Sequence, residues 1–222
     1  MIENNLAEVN QKIEQACAQV NRNRSEVTLI AVTKTVDIQT TSELIDLGQV
    51  HIAENRADKF LAKKAALPSK DLVWHYIGNL QRRKVKEVIN EVDYFHALDS
   101  LRLADEIQKR ANHVIKCFVE VNVSGEESKH GFALEEVRDF ILSLQNHEFI
   151  QVVGLMTMAP FDSTSQQQHE IFKQLKQKQL EIEALNLSYA PCHELSMGMS
   201  NDYEIAVMEG ATYVRVGTAL FK

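Results

Sequence analysis

Proline is scarce, with three in 222 residues, and no glycine- or serine-rich stretch breaks the pattern. Nothing reads as a linker, so residues 1–222 are expected to form a single domain. The three cysteines, Cys17, Cys117 and Cys192, are odd in number and far apart. That excludes a disulfide framework and a thiolate metal site, and it fits buried thiols in a reducing cytoplasm. No apolar run approaches the ~18 residues that a membrane span needs. Met1–Val20 mixes acids, amides and apolar residues and lacks the apolar core of a signal peptide. A cytoplasmic protein with no membrane partner is expected. Positive charge is also in deficit: 24 Lys and Arg stand against 31 Asp and Glu, a net charge of −7. A broad basic face for nucleic acid is therefore excluded, because phosphate neutralisation supplies most non-specific binding.

What is present is an alternation. Leu6, Val9, Ile13, Ala16 and Val20 fall three or four apart, which predicts a helix over residues 3–20. A β-branched run, Val27–Val32, follows. Further strand-like runs lie at 51–53, 73–77, 94–97, 115–123, 152–156, 193–195 and 213–216, making eight with the first. Helical stripes separate them: Leu44 and Leu47 before Gly48, then Val85, Val88 and Ile89, then Phe172, Leu175, Ile182 and Leu185. The polar stretch Ser163–Gln168 reads as a helix entry. Parallel strands need helical crossovers, and eight such units predict an α/β fold closed as a (β/α)8 barrel. The alternative, an open doubly wound sheet, usually carries a glycine-rich turn after its first strand; here that strand ends in Thr33-Lys34-Thr35.

Barrel active sites sit at the C-terminal ends of the strands, so the residues there carry the information. Lys34 comes just after the largely apolar run Val27–Val32 and should be partly desolvated at the rim, which favours the neutral amine that an aldehyde requires. A lysine whose head snorkels to solvent is the alternative. After the seventh strand comes Ser196-Met197-Gly198-Met199-Ser200, and Asn201 and Glu204 have capping-box spacing, so a helix should start there. The eighth strand is followed by Gly217-Thr218. Loops after strands seven and eight often hold phosphate, and a closed ring makes them neighbours of Lys34. An amine beside a phosphate cradle is what pyridoxal 5′-phosphate (PLP) needs.

The stretches Ala31–Thr35, Glu54-Asn55, His75–Gln81, Gly154–Met158, Leu195–Ser200 and Val214–Thr218 resemble those of the PLP homeostasis protein family, which is similar in fold to the barrel domain of alanine racemase. The resemblance spans nearly the whole chain. It implies that Lys34 carries the cofactor as an aldimine and that Ser196, Ser200, Gly217 and Thr218 hold its phosphate, with Met197 in the same loop. Arg215 would approach the pyridine nitrogen, and Asn55 and His75 would line the ring pocket. A permanent guanidinium beside that nitrogen disfavours its protonation and weakens the ring as an electron sink. Two departures stand out: Ala53 where the family usually has glycine, and a last motif that ends soon after, at Phe221-Lys222.

The resemblance implies a carrier, without catalytic residues, that holds PLP and delivers it to apo-enzymes; an open barrel mouth with no covering domain permits a monomer. A PLP-dependent racemase or decarboxylase is the alternative, set against by the lack of the second domain of alanine racemase. A metal-dependent hydrolase is a third reading: His75, His96 and His193 lie on different strands and could converge, but no His-Glu-x-x-His helix occurs, and no metal is expected. Lys129, in a glycine-flanked loop, is expected to be exposed and could be a second aldehyde-capturing amine. Arg82-Arg83-Lys84 reads as a solvated helix face or a phosphate contact. The helix over 3–20 is expected to pack on the barrel in place of a missing eighth helix.

Overall fold

The computed structural model describes residues 1–69 and 71–222. Eight parallel strands close into a barrel in sequence order. They are β1 (Thr28–Val32), β2 (His51–Glu54), β3 (Val73–Tyr76), β4 (Tyr94–Leu98), β5 (Ile115–Glu120), β6 (Ile150–Met156), β7 (Glu194–Ser196) and β8 (Tyr213–Val216). The helices are α1 (Ile2–Gln19), α2 (Ile38–Asp46), α3 (Ala57–Ala66), α4 (Arg82–Val88), α5 (Leu101–Arg110), α6 (Val137–Ser143), α7 (Ser165–Glu183), α8 (Tyr203–Met208) and α9 (Thr218–Phe221). The eight apolar runs of the sequence are these eight strands. The run from Ile115 stops at Glu120, because Val121 leaves the β4–β5–β6 ladder for an isolated bridge to Phe132.

Local signals set several boundaries. Gly48 ends α2 with φ 94°, a left-handed conformation that costs a side chain and not a glycine. Thr164 and Gln167 cap α7 reciprocally, at 3.2 and 2.8 Å, as the polar run before it predicts. Leu47 and Val20, expected on apolar faces, are instead exposed; each lies just beyond the last residue of its helix.

Two separate apolar regions result. One fills the space between strands and helices; among its fully buried side chains are Phe60, Phe95, Leu44, Ile107 and Phe172. The other lies inside the barrel and contains Ile30, Val32, Ala53, Phe118, Met156 and Tyr213. Register gives the inward set: Ile30 stands beside Arg215, Ala53 beside His75, and His75 beside Tyr94.

Helix α1 packs against α8 and α9, burying Val9, Ile13, Ala16 and Cys17. Asn5 donates from its side-chain amide to the carbonyl oxygens of Leu220 and Lys222, at 3.0 and 3.2 Å. Just past the helix, Arg22 donates to the carbonyls of Val207 and Ala211, at 2.6 and 2.9 Å. The N-terminal helix thus lies over the β8 side of the ring.

Candidate functional site

Around the C-terminal rim, β1 and β8 are paired neighbours, with Ala31 opposite Val216. The chain continues from β1 through Thr33 into a turn that carries Lys34. Lys34 is exposed there and not partly desolvated, because it lies two residues beyond the last strand residue, clear of the apolar ladder. Its predecessor is held firmly: the Lys63 ammonium on α3 donates to the Thr33 carbonyl at 2.5 Å and pairs with the Glu54 carboxylate at 2.5 Å. The Thr33 hydroxyl donates to the same Glu54 oxygen at 3.0 Å. Both members of this pair are buried, and the second Glu54 oxygen has no protein partner. The clamp fixes the backbone from which Lys34 springs.

On the other side of that turn, Gly217 follows β8. A Cβ there would come within 3.1 Å of the Val32 carbonyl, so the β1 and β8 ends approach closely because this residue has no side chain. The backbone N–H groups of Gly217 and Ala219 both point at the Ser200 hydroxyl, at 3.4 and 3.1 Å. Two amides thus converge on one oxygen between neighbouring loops. Thr218, between them, is exposed. Gly198 (φ 95°) turns the chain after β7, where a Cβ would meet Ala206 at 2.5 Å. The capping box expected at Asn201 and Glu204 does not form. Asp202 instead accepts from the Met199 N–H at 2.6 Å, and α8 starts at Tyr203.

Strand parity separates the other residues. Ser196 is the last residue of β7 and Met197 follows it; Met197 faces the helix-side core, fully buried, with its N–H donated to the Tyr213 carbonyl. Its side chain is therefore no part of the pocket. Ser196 is fully buried, and its hydroxyl meets His96 Nδ1 at 2.8 Å and Arg215 Nη1 at 2.6 Å. It lies in the barrel interior and not in the open loop. Arg215 also donates to the Thr157 carbonyl at 3.1 Å; burial pulls its pKa down to about 10, against the opposing pull of Asp202 and Glu120. Burial also pushes the Glu120 carboxyl up to about 7, Asp99 adding to the effect and Arg215 opposing it. Asn55 is half-buried at the end of β2, and its backbone packs so closely on Gly78 that a Cβ there would lie 2.1 Å from its carbonyl oxygen. It borders a groove of about 500 Å³ shared with Gln81, Arg83 and Lys84.

His75 and His96 do come together, but the third imidazole is His51. His193 is exposed and bonded to Glu183 at 3.1 Å. The inner ring nitrogens face one another, at 2.9 and 2.8 Å, and no common point between them. Lys129 is half-buried, not exposed, and its ammonium is engaged by Glu126 at 2.6 Å and the Met158 carbonyl at 3.2 Å. Sequence reasoning missed Lys63, Glu120, the Ala219 amide and the inward role of His51. For Glu120 alone a signal existed: a carboxylate closing an apolar strand.

No helix among the described residues is long and apolar enough to cross a membrane. Residues 4–222 match the family described as alanine racemase, N-terminal domain. A pyridoxal phosphate homeostasis protein of Aquifex aeolicus is 40% identical over 222 residues, 97% of this chain and 95% of that one. The structure of PipY from Synechococcus elongatus with PLP bound has a TM-score of 0.87 and 31% identity over 100% of both chains. Alanine racemase from Corynebacterium glutamicum shares the fold, with a TM-score of 0.73 at 13% identity, over 99% of this chain and 60% of that one. The chain belongs to the alanine racemase N-terminal domain family and, within it, to the pyridoxal phosphate homeostasis proteins.

Proposed function

We propose that this chain binds pyridoxal 5′-phosphate at the C-terminal rim, as one functional domain over residues 1–222, and serves in its intracellular homeostasis. The observation that carries the reading is the convergence of the Gly217 and Ala219 amides on the Ser200 hydroxyl, beside the exposed amine of Lys34. The residues present fit the group. Two backbone amides and a hydroxyl meet between the loops that would hold the phosphate, and a close approach is kept open at Gly217.

When bound, the cofactor supplies a reactive aldehyde and a phosphate on one ring. Lys34 provides the amine for the aldehyde, on a turn anchored through Thr33. Ser200, Gly217, Thr218 and Ala219 receive the phosphate. Arg215 is the residue we assign to the ring nitrogen; a guanidinium donates and does not accept, so it would leave that nitrogen unprotonated and the ring a poor electron sink. Asn55 belongs to the β2 side of the pocket, whereas His75, which the resemblance assigns to the ring pocket, is fully buried beneath it with both ring nitrogens engaged by His51 and His96. Ser196 serves through Arg215, because its hydroxyl is taken up in the interior. An exposed lysine suits loading and release, and we assign to the protein the delivery of PLP to apo-enzymes, as a cytoplasmic monomer without strong catalysis.

One observation favours a catalytic alternative: Glu120, held near 7 beside Arg215, could exchange protons at neutral pH. Two measurements test the proposal. Titration with PLP should give a yellow protein with stoichiometric binding, and no binding would end it. Amino-acid turnover at about 1 per second or faster would replace the carrier by an enzyme.

A further inference from the structure

Inside the barrel, three imidazoles and one hydroxyl stand in single file from the start of β2 to the guanidinium on β8. His51 Nδ1 lies 2.9 Å from His75 Nε2, and His75 Nδ1 lies 2.8 Å from His96 Nε2. His96 Nδ1 lies 2.8 Å from Ser196 Oγ, which receives Arg215 Nη1 at 2.6 Å. His75, His96, Ser196 and Arg215 are buried, and His51, at the N-terminal end of its strand, is half-buried.

The direction of every bond follows from Arg215. A guanidinium only donates, so Ser196 Oγ accepts from it. The hydroxyl has one proton, and among the described residues its other neighbour is His96 Nδ1. Were that nitrogen to donate as well, the hydroxyl proton would be left buried without an acceptor, which is a costly state. Ser196 therefore donates to His96 Nδ1. A neutral imidazole has one donor and one acceptor, so His96 donates through Nε2 to His75, and His75 through Nε2 to His51. Burial holds both inner imidazoles well below their ordinary pKa, and Arg215 adds to the effect at His96. Every lone pair in the file thus faces the cation, and every proton points away. Arg215 has no ion pair within 4.0 Å among the described residues, so this aligned file and the Thr157 carbonyl together solvate its charge.

We propose that His51, His75 and His96 are positioning residues that act through Ser196, fixing its hydroxyl as an acceptor and so setting the orientation of Arg215 at the pocket floor. The link to ligand rests on the PLP reading above; the file itself does not.

The test has two arms. Nitrogen-15 NMR of histidine-labelled protein without cofactor, at neutral pH, should show His51, His75 and His96 all as Nε2–H tautomers. An Nδ1–H tautomer or an imidazolium at His75 or His96 overturns the file, whether or not the protein binds PLP. The second arm compares His51→Asn with His51→Phe. The asparagine carbonyl can replace Nδ1 as acceptor; phenylalanine cannot. His51→Asn should keep wild-type PLP affinity and absorption spectrum, whereas His51→Phe should lose about threefold to tenfold in affinity and shift the band. Equal behaviour of the two variants removes the positioning role. If wild type binds no PLP while the three tautomers are found, the PLP reading fails and the file stands. The tautomer arm needs no variant, so it decides the file even if His51→Phe fails to fold.

Discussion

The two sides of the barrel wall are built from different chemistry. Outside, between strands and helices, the buried side chains are overwhelmingly aliphatic and aromatic. Inside, six buried apolar residues share the space with His75, His96, Ser196, Arg215 and Glu120. Barrel interiors of this type are usually filled by layers of branched aliphatic side chains. The outer layer therefore supplies the stability, and the inner column gives up apolar packing to place a buried cation beneath the rim. Only the outer layer is an ordinary core.

The sharpest test of that contrast is the outer layer's own exception, the Glu54–Lys63 pair, buried on both sides. Lys63→Met leaves Glu54 as an uncompensated buried charge and should cost about 3–5 kcal/mol in urea unfolding. Adding Glu54→Leu should recover most of that loss, since apolar replacement of a whole buried pair is often neutral, but it should loosen the turn that carries Lys34 and weaken PLP binding. Full recovery of both would mean that the pair does not support the turn.

Next in size is the seam between α1 and the barrel. Ile13 is fully buried there, and Ile13→Ala should destabilise by about 2–5 kcal/mol. Little or no change would show that α1 is not part of the outer layer.

Within the column, Glu120 gives a pH signature. Its folded value, about 7, lies above the ordinary 4.5 because burial penalises the charged form. The folded state therefore holds a proton that the unfolded chain has already lost. The stability linked to Glu120 is fully present below pH 4.5, falls as pH rises towards 7 and levels off above it. Glu120→Gln should abolish that slope and be more stable than wild type at pH 8 by about 3 kcal/mol, at 1.36 kcal/mol per unit. Parallel pH profiles for the two proteins would place Glu120 in water and not in the column.

The smallest effect on the fold should come from the rim. Ser200→Ala with Thr218→Ala removes two hydroxyls, one half-buried and one exposed, and should leave unfolding within about 1 kcal/mol of wild type. It should weaken PLP more than pyridoxal, by about 1.5–3 kcal/mol for each lost bond to the phosphate. Equal losses for the two ligands would take the phosphate away from these loops.

This contrast also explains what the sequence could reveal. Alternating apolar runs and helical stripes located all eight strands, and the rim residues followed from the strand ends. Which side of the wall a residue faces was not legible, because strands buried on both faces lack the polar–apolar alternation that would reveal their parity. Hence Met197 read as a pocket residue although it faces the helices, and Ser196 read as a phosphate ligand although Arg215 and His96 occupy its hydroxyl. His193 was read with His75 and His96 where His51 is the true third. Lys63 reaches Glu54 from the next helix, a contact that no local pattern encodes, and the exposure of Lys34 depends on where β1 stops.

The central claim is that Lys34 is the amine that captures PLP at the rim. The direct measurement is borohydride reduction of the PLP-loaded protein followed by peptide mapping. The account predicts a single pyridoxyl adduct on Lys34, lost in a folded Lys34→Ala variant. An adduct on Lys129 or another lysine in the wild-type protein would contradict it.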